Sequence, residues 1–128
     1  MLHRISTMRV LLALIMSMTF GTAYGGNILI PGYEALHFKA GQTEQQIIFR
    51  NPQENQCYFR LSLYLDDGTE IWRASDILEP GGALTSIELH RPLTEGTYPN
   101  AVLKYECYSL GDNTRLNGAE IRLRIKAE

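Results

Sequence analysis

The chain has 128 residues, 45% hydrophobic and 20% charged, with 12 Lys and Arg against 14 Asp and Glu and a net charge of −2. This length holds one small domain, and the slightly acidic balance excludes a basic surface for nucleic acid or anionic lipid. Two cysteines and three histidines leave little material for metal or thiol chemistry.

The first predicted element, residues 1–25, is a signal peptide. Arg4 and Arg9 make a basic start, and no acidic residue precedes Glu34. Residues 10–23, VLLALIMSMTFGTA, form a nearly unbroken apolar run of 14 residues. A membrane span takes roughly 17–25. Ala23-Tyr24-Gly25 is a small-x-small pattern, which places the cut after Gly25, with Ala23 as the alternative; retention as a membrane anchor is the competing reading. Met8 followed by Arg9 is a second possible start. Residues 26–128 then form a single domain. It keeps ten basic and all fourteen acidic residues, a net charge of −4.

Within that domain the dominant pattern is alternation. After a turn at Pro31-Gly32, residues 35–38 and 44–50 read as strands, the second stopped by Asn51-Pro52 because proline has no amide hydrogen to give a ladder. In 57–65, CYFRLSLYL, residues Cys57, Phe59, Leu61 and Leu63 share one face, and Tyr58, Arg60, Ser62 and Tyr64 the other. Asp66-Asp67-Gly68 is a hairpin turn, glycine supplying the positive φ. The chain returns over 69–73, and 83–89 follows a turn at Pro80-Gly81-Gly82. Residues 96–107, GTYPNAVLKYEC, make a long strand with Ala101, Leu103, Tyr105 and Cys107 on one side. A loop is expected over 109–117 and a last strand over 118–125. No segment carries a sustained 3.6-residue period.

Seven short strands with turns every eight to twelve residues predict an all-β protein, an immunoglobulin-like antiparallel β-sandwich. Leu93-x-x-Gly96-x-Tyr98 resembles the tyrosine corner of such domains, where the hydroxyl bonds back to upstream backbone. Two wirings compete. The spacing Cys57…Trp72…Cys107 resembles the antibody pattern, in which cysteines join opposite sheets. The tight Asp-Gly hairpin instead holds 57–65 and 69–73 in one sheet and makes 57–65 the neighbour of 96–107. The preferred wiring brings Cys57 and Cys107 together as a cross-strand pair. In an oxidising compartment a disulfide between them is the expected state, closing a loop of about 51 residues and stabilising the fold by about 4 kcal/mol. Two buried thiols are the alternative.

The sequence carries no signature of catalytic or metal chemistry. His3 leaves with the signal, and His37 and His90 sit at no ligand spacing with either cysteine. Asp66-Asp67 lacks the alternate-acid pattern of a calcium loop. There is no G-x-S-x-G, no Cys-His pairing and no glycine-rich phosphate loop. The expectation is a non-enzyme without cofactor or metal. Surfaces carry more information. The preferred wiring gathers 51–56, 75–82 and 109–117 at one end, offering Gln53, Glu54, Asn55, Gln56, Asp76, Asp112, Asn113 and Arg115. Tyr58, Arg60, Tyr64, Lys104 and Tyr108 fall on the outer strand face, and Tyr and Arg are enriched where binding energy concentrates. The expected binding surface is Glu54, Asn55, Tyr58, Arg60, Tyr108, Asp112, Asn113 and Arg115.

The stretches IPGY (30–33), FKAGQTEQ (38–45), NPQENQCYF (51–59), LDDGTEI (65–71), EGTYPNAVLKYECYSL (95–110) and LNGAEI (116–121) are similar to those of a family of small exported proteins of gut Gram-positive bacteria, some linked to mobile conjugative elements. The resemblance covers nearly the whole predicted domain. It implies export and a single domain, and brings no catalytic residue with it. The expectation is therefore an extracellular or cell-wall-face module that binds a protein or glycan at the cell surface through its loop end. Membrane contact would come only through an uncleaved signal or a partner. The alternative is a structural accessory subunit of a cell-envelope or conjugative-transfer assembly, engaged by strand addition at a sheet edge.

Overall fold

The computed structural model describes residues 28–128; the signal-peptide expectation for 1–25 and both possible starts lie outside them. Among the described residues all regular structure is strand: β1 (Ala35–Phe38), β2 (Glu44–Arg50), β3 (Cys57–Tyr64), β4 (Glu70–Arg73), β5 (Ala83–Glu88), β6 (Gly96–Ser109) and β7 (Arg115–Ala127). They form a five-stranded sheet in the order β1-β7-β6-β3-β4 and a two-stranded sheet, β2-β5. Alternation drives the arrangement. In β3 the odd-numbered residues Cys57, Phe59, Leu61 and Leu63 are at most 1% exposed, while Tyr58, Arg60 and Tyr64 are half-buried on the other face. Across the sheets, Trp72 of β4 stacks on Phe49 of β2 with centroids 5.7 Å apart, and Tyr33 meets the same phenylalanine edge-on at 5.5 Å.

The chain before β1 is part of the core. Ile28 and Ile30 are 0% and 2% exposed. Tyr105 of β6 donates its hydroxyl hydrogen to the Pro31 carbonyl, O···O 2.8 Å. The side chain of Asn55 accepts from Leu29 N–H at 2.7 Å and donates to Leu29 C=O at 2.9 Å. This stretch therefore runs between elements of both sheets.

Three expectations change. First, the sandwich is not wholly antiparallel: β1 runs parallel to β7, Ala35 opposite Arg124 and Phe38 opposite Ala127. The two ends of the domain close one sheet edge, with Ala40 N–H donating to Glu128 C=O and Glu128 N–H to Phe38 C=O, both at 3.0 Å. Second, the loop expected over 109–117 shrinks to a hairpin, because β6 runs to Ser109 and β7 starts at Arg115. Gly118 lies in a strand as expected, and a Cβ there would run into the Tyr105 carbonyl oxygen, so β6 and β7 approach at a register shift that only glycine permits.

The third concerns the cysteines. β3 and β6 are antiparallel neighbours, so the preferred wiring is correct, but the register sets Cys57 opposite Ser109 and Cys107 opposite Phe59. The two residues are diagonal, two positions out of step, and no disulfide joins them. Diagonal positions lie farther apart than a disulfide spans. Both thiols are buried, and a hydrogen bond with Cys57, together with burial, pushes the Cys107 thiol strongly up. Backbone pairing, packing and the thiol contact, not a covalent link, join the strands here.

Candidate functional site on the outer strand face and loop end

The β3–β6 register assembles the outer face row by row. Tyr58 stands opposite Tyr108, Arg60 opposite Glu106, and Ser62 opposite Lys104. On the other side of β6, Arg115 of β7 stands opposite Tyr108. One row thus reads Tyr58, Tyr108, Arg115 across three strands. Both tyrosines are half-buried and Arg115 is exposed.

Glu106 is the electrostatic centre of this face, at 9% exposure. Burial alone would raise its pKa. The Tyr108 hydroxyl, donating to Glu106 Oε1 at 2.8 Å, and the nearby cations Arg115, Arg73 and Lys104 outweigh that and hold the carboxyl below the ordinary range. The same hydrogen bond, with burial second, raises the Tyr108 phenol. Arg73 of β4 extends the network. It lies 3.6 Å from Glu106 Oε2, donates to the Tyr64 hydroxyl at 3.0 Å and pairs with Glu70 at 2.9 Å. His90 Nε2 lies 2.9 Å from the second Glu70 oxygen. The hydrogen bond with His90 is the largest of the effects that lower the Glu70 carboxyl. Arg60 belongs to the same face, half-buried, with its Nε buried and without a hydrogen bond.

The loop end is built as the strand order requires. Cys57 beside Ser109 sets the loop 51–56 next to the β6–β7 hairpin. The loop before β5 is tied to it as well, since Gly81 N–H donates to Asn51 C=O at 2.7 Å and Asn51 N–H to Gly82 C=O at 3.1 Å. In the hairpin, Asp112 Oδ1 accepts from Thr114 N–H at 3.1 Å, and Asn113 takes φ 60°, a conformation asparagine tolerates. The bonds to Thr114 lower the Asp112 carboxyl. Glu54, Asp112, Asn113 and Arg115 are exposed at this end.

Asn55 does not belong to this surface. It is 1% exposed, and besides its two bonds to Leu29 it donates to Asn51 Oδ1 at 2.8 Å. Asn51, which the sequence offered only as a strand stop, is its partner. The Asn51 amide donates to the carbonyls of Cys57 and Leu78 at 2.9 and 2.8 Å, tying three segments together. A polar loop of N, Q and E residues gives no signal of which amides turn inward.

The site offers aromatic faces, guanidinium donors and one ordered carboxylate. Among the described residues no three of His, Cys, Asp and Glu converge as metal ligands would. The fold defines a two-sheet all-β protein with a polar, aromatic strand face. No family model matches the chain, and no curated protein matches it.

Proposed function

We propose that the protein is an exported, non-catalytic binding module with an immunoglobulin-like sandwich, which recognises a protein or glycan at the cell surface through the outer face of β3 and β6 and the adjoining loop end. Support for the immunoglobulin-like reading comes from the β1-β7-β6-β3-β4 sheet set against β2-β5. It also comes from the corner before β6, where the Tyr98 hydroxyl donates to the Thr94 carbonyl at 2.8 Å, four residues upstream. The observation that carries the binding reading is the row Tyr58, Tyr108, Arg115 across three strands, with Arg60 on the same face. Tyrosine and arginine on a rigid strand face supply contact area and directed donors at low entropic cost.

The test uses the purified protein on an arrayed set of bacterial and host glycans and on isolated envelope fragments. Tyr108→Ala and Arg115→Ala, each removing a side chain from one row, should weaken retention by about tenfold or more while the domain stays folded, with the melting temperature moving little for the exposed Arg115→Ala. Retention unchanged in both variants would refute this surface. Co-purification with a membrane complex, undiminished by either change, would favour the accessory-subunit reading instead.

A further inference from the structure

A cleft of about 270 Å³ opens between the chain that follows β4 and the outer edge of β5, lined among others by Trp72, Asp76, Ile77, Leu84 and Glu88. It exists because of where the intervening segment places its backbone hydrogen bonds. Ala74 N–H donates to Leu61 C=O at 2.9 Å, and Leu78 exchanges two bonds with Phe59, at 3.0 and 2.7 Å. Residues 74–78 thus stay with β3 and do not pair with β5. β5 has β2 on one side and no strand on the other. At one end, His90 N–H donates to Ile71 C=O at 2.8 Å and closes the gap.

Two independent features mark this edge as incomplete. Ile77 is 43% exposed, one of two large hydrophobics so exposed among the described residues. The charge is also unbalanced: Arg73, which lines the cleft too, is already paired with Glu70 and lies 3.6 Å from Glu106. Glu88 stands directly opposite Glu44, both exposed, and with Asp76 they make no ion pair among the described residues. Like charges across a strand pair are unfavourable, and a cation bound alongside would relieve them. Native sheets blunt exposed edges with lysine, proline or a covering loop. β5, ALTSIE, has no lysine and no proline.

We propose that the free edge of β5 receives an extended peptide segment of a partner protein by strand addition, with an apolar side chain in the cleft against Ile77 and Trp72 and a lysine or arginine beside Glu88 and Asp76. Backbone pairing supplies the attachment, the cleft reads the alternate side chain, and the acids select the flanking charge. This site adjoins the outer face of β3 and β6 at Arg73, which borders both.

Trp72 is the chain's single tryptophan, so its fluorescence reports on the cleft. The probe is a capped peptide of alternating threonine and valine with a lysine at each end. Titration should give a saturable change in Trp72 emission and new amide protection confined to 84–88. The same peptide with glutamate ends should bind about tenfold more weakly, and Glu88→Lys should reverse that preference. Ile77→Ser, at an exposed position, should keep the melting temperature and weaken the lysine-ended peptide about fivefold. No saturable change, equal binding of both peptides, or full binding by Ile77→Ser would each overturn the proposal. So would sedimentation showing that 84–88 pairs with a second copy of this chain.

Discussion

Asn55 shows how one side chain can be read in the right loop and given the wrong role. It lies among Pro52, Gln53, Glu54 and Gln56, which are exposed or half-buried, yet is 1% exposed itself. Its amide satisfies both backbone groups of Leu29 and one side-chain oxygen of Asn51. Buried polar groups left without partners cost about 1–3 kcal/mol each. Asn55→Ala should therefore destabilise the domain by about 2–4 kcal/mol in urea unfolding. Asn55→Asp should be no milder, because it keeps the acceptor for Leu29 N–H but sets a carboxylate oxygen against Leu29 C=O. A change under about 0.5 kcal/mol for Asn55→Ala would show that the clamp is not structural.

At the scale of elements, the strands were legible wherever one face is buried and the other wet. β1 and β2 fall where alternation and turn chemistry put them, and β3, β4 and β5 differ only at their ends. The reading failed where the deciding partner is remote in sequence. Arg115, Leu116 and Asn117 look like loop composition, but they belong to β7, and Arg115 and Leu116 pair with a β6 that continues past Cys107. The β1–β7 edge joins opposite ends of the domain and leaves no local signature. Register was also illegible, so adjacency of the cysteine strands could be deduced but not the two-residue offset that keeps Cys57 and Cys107 from being bridged. The outer face of β3 and β6 was legible as a face, since its members alternate with core residues on the same strands. Its internal wiring predicts a pH effect. Glu106 has a lowered pKa in the folded protein, so its contribution is fully present above the unfolded value, about 4.3, and is lost as pH falls through the folded value. Glu106→Gln should cost about 1–2 kcal/mol at pH 7. The gap to wild type should close as the pH is lowered towards 3. A gap that stays constant over that range would mean the carboxylate charge contributes nothing beyond shape.

For the whole molecule, the two sheets are unequal, five strands against two, and the irregular chain before β1 helps make up the difference. Ile28 and Ile30 are as buried as any strand residue, Tyr33 packs on Phe49 of the small sheet, and Pro31 accepts from Tyr105 of the large one. Burying each isoleucine stabilises the fold by about 2 kcal/mol. Losing Leu29 and Pro31 would also strand Asn55 and the wholly buried Tyr105 hydroxyl at about 1–3 kcal/mol each. A net stability of about 5–15 kcal/mol does not survive much of that. A chain beginning at Gly26, the product of a cut after Gly25, should therefore unfold cooperatively. A chain beginning at Gly32 should lose most of its near-ultraviolet circular dichroism and its melting transition. Tyr105→Phe, which removes only the bond to Pro31, should fall between them at about 1–2 kcal/mol. If the chain beginning at Gly32 melts at the same temperature as the longer one, the segment is an ornament on a self-sufficient sandwich. If the predicted order holds, any processing of the N-terminus is bounded by the core, because a cut only a few residues past Gly25 would remove Ile28 and unmake the frame that presents Tyr58, Tyr108 and Arg115.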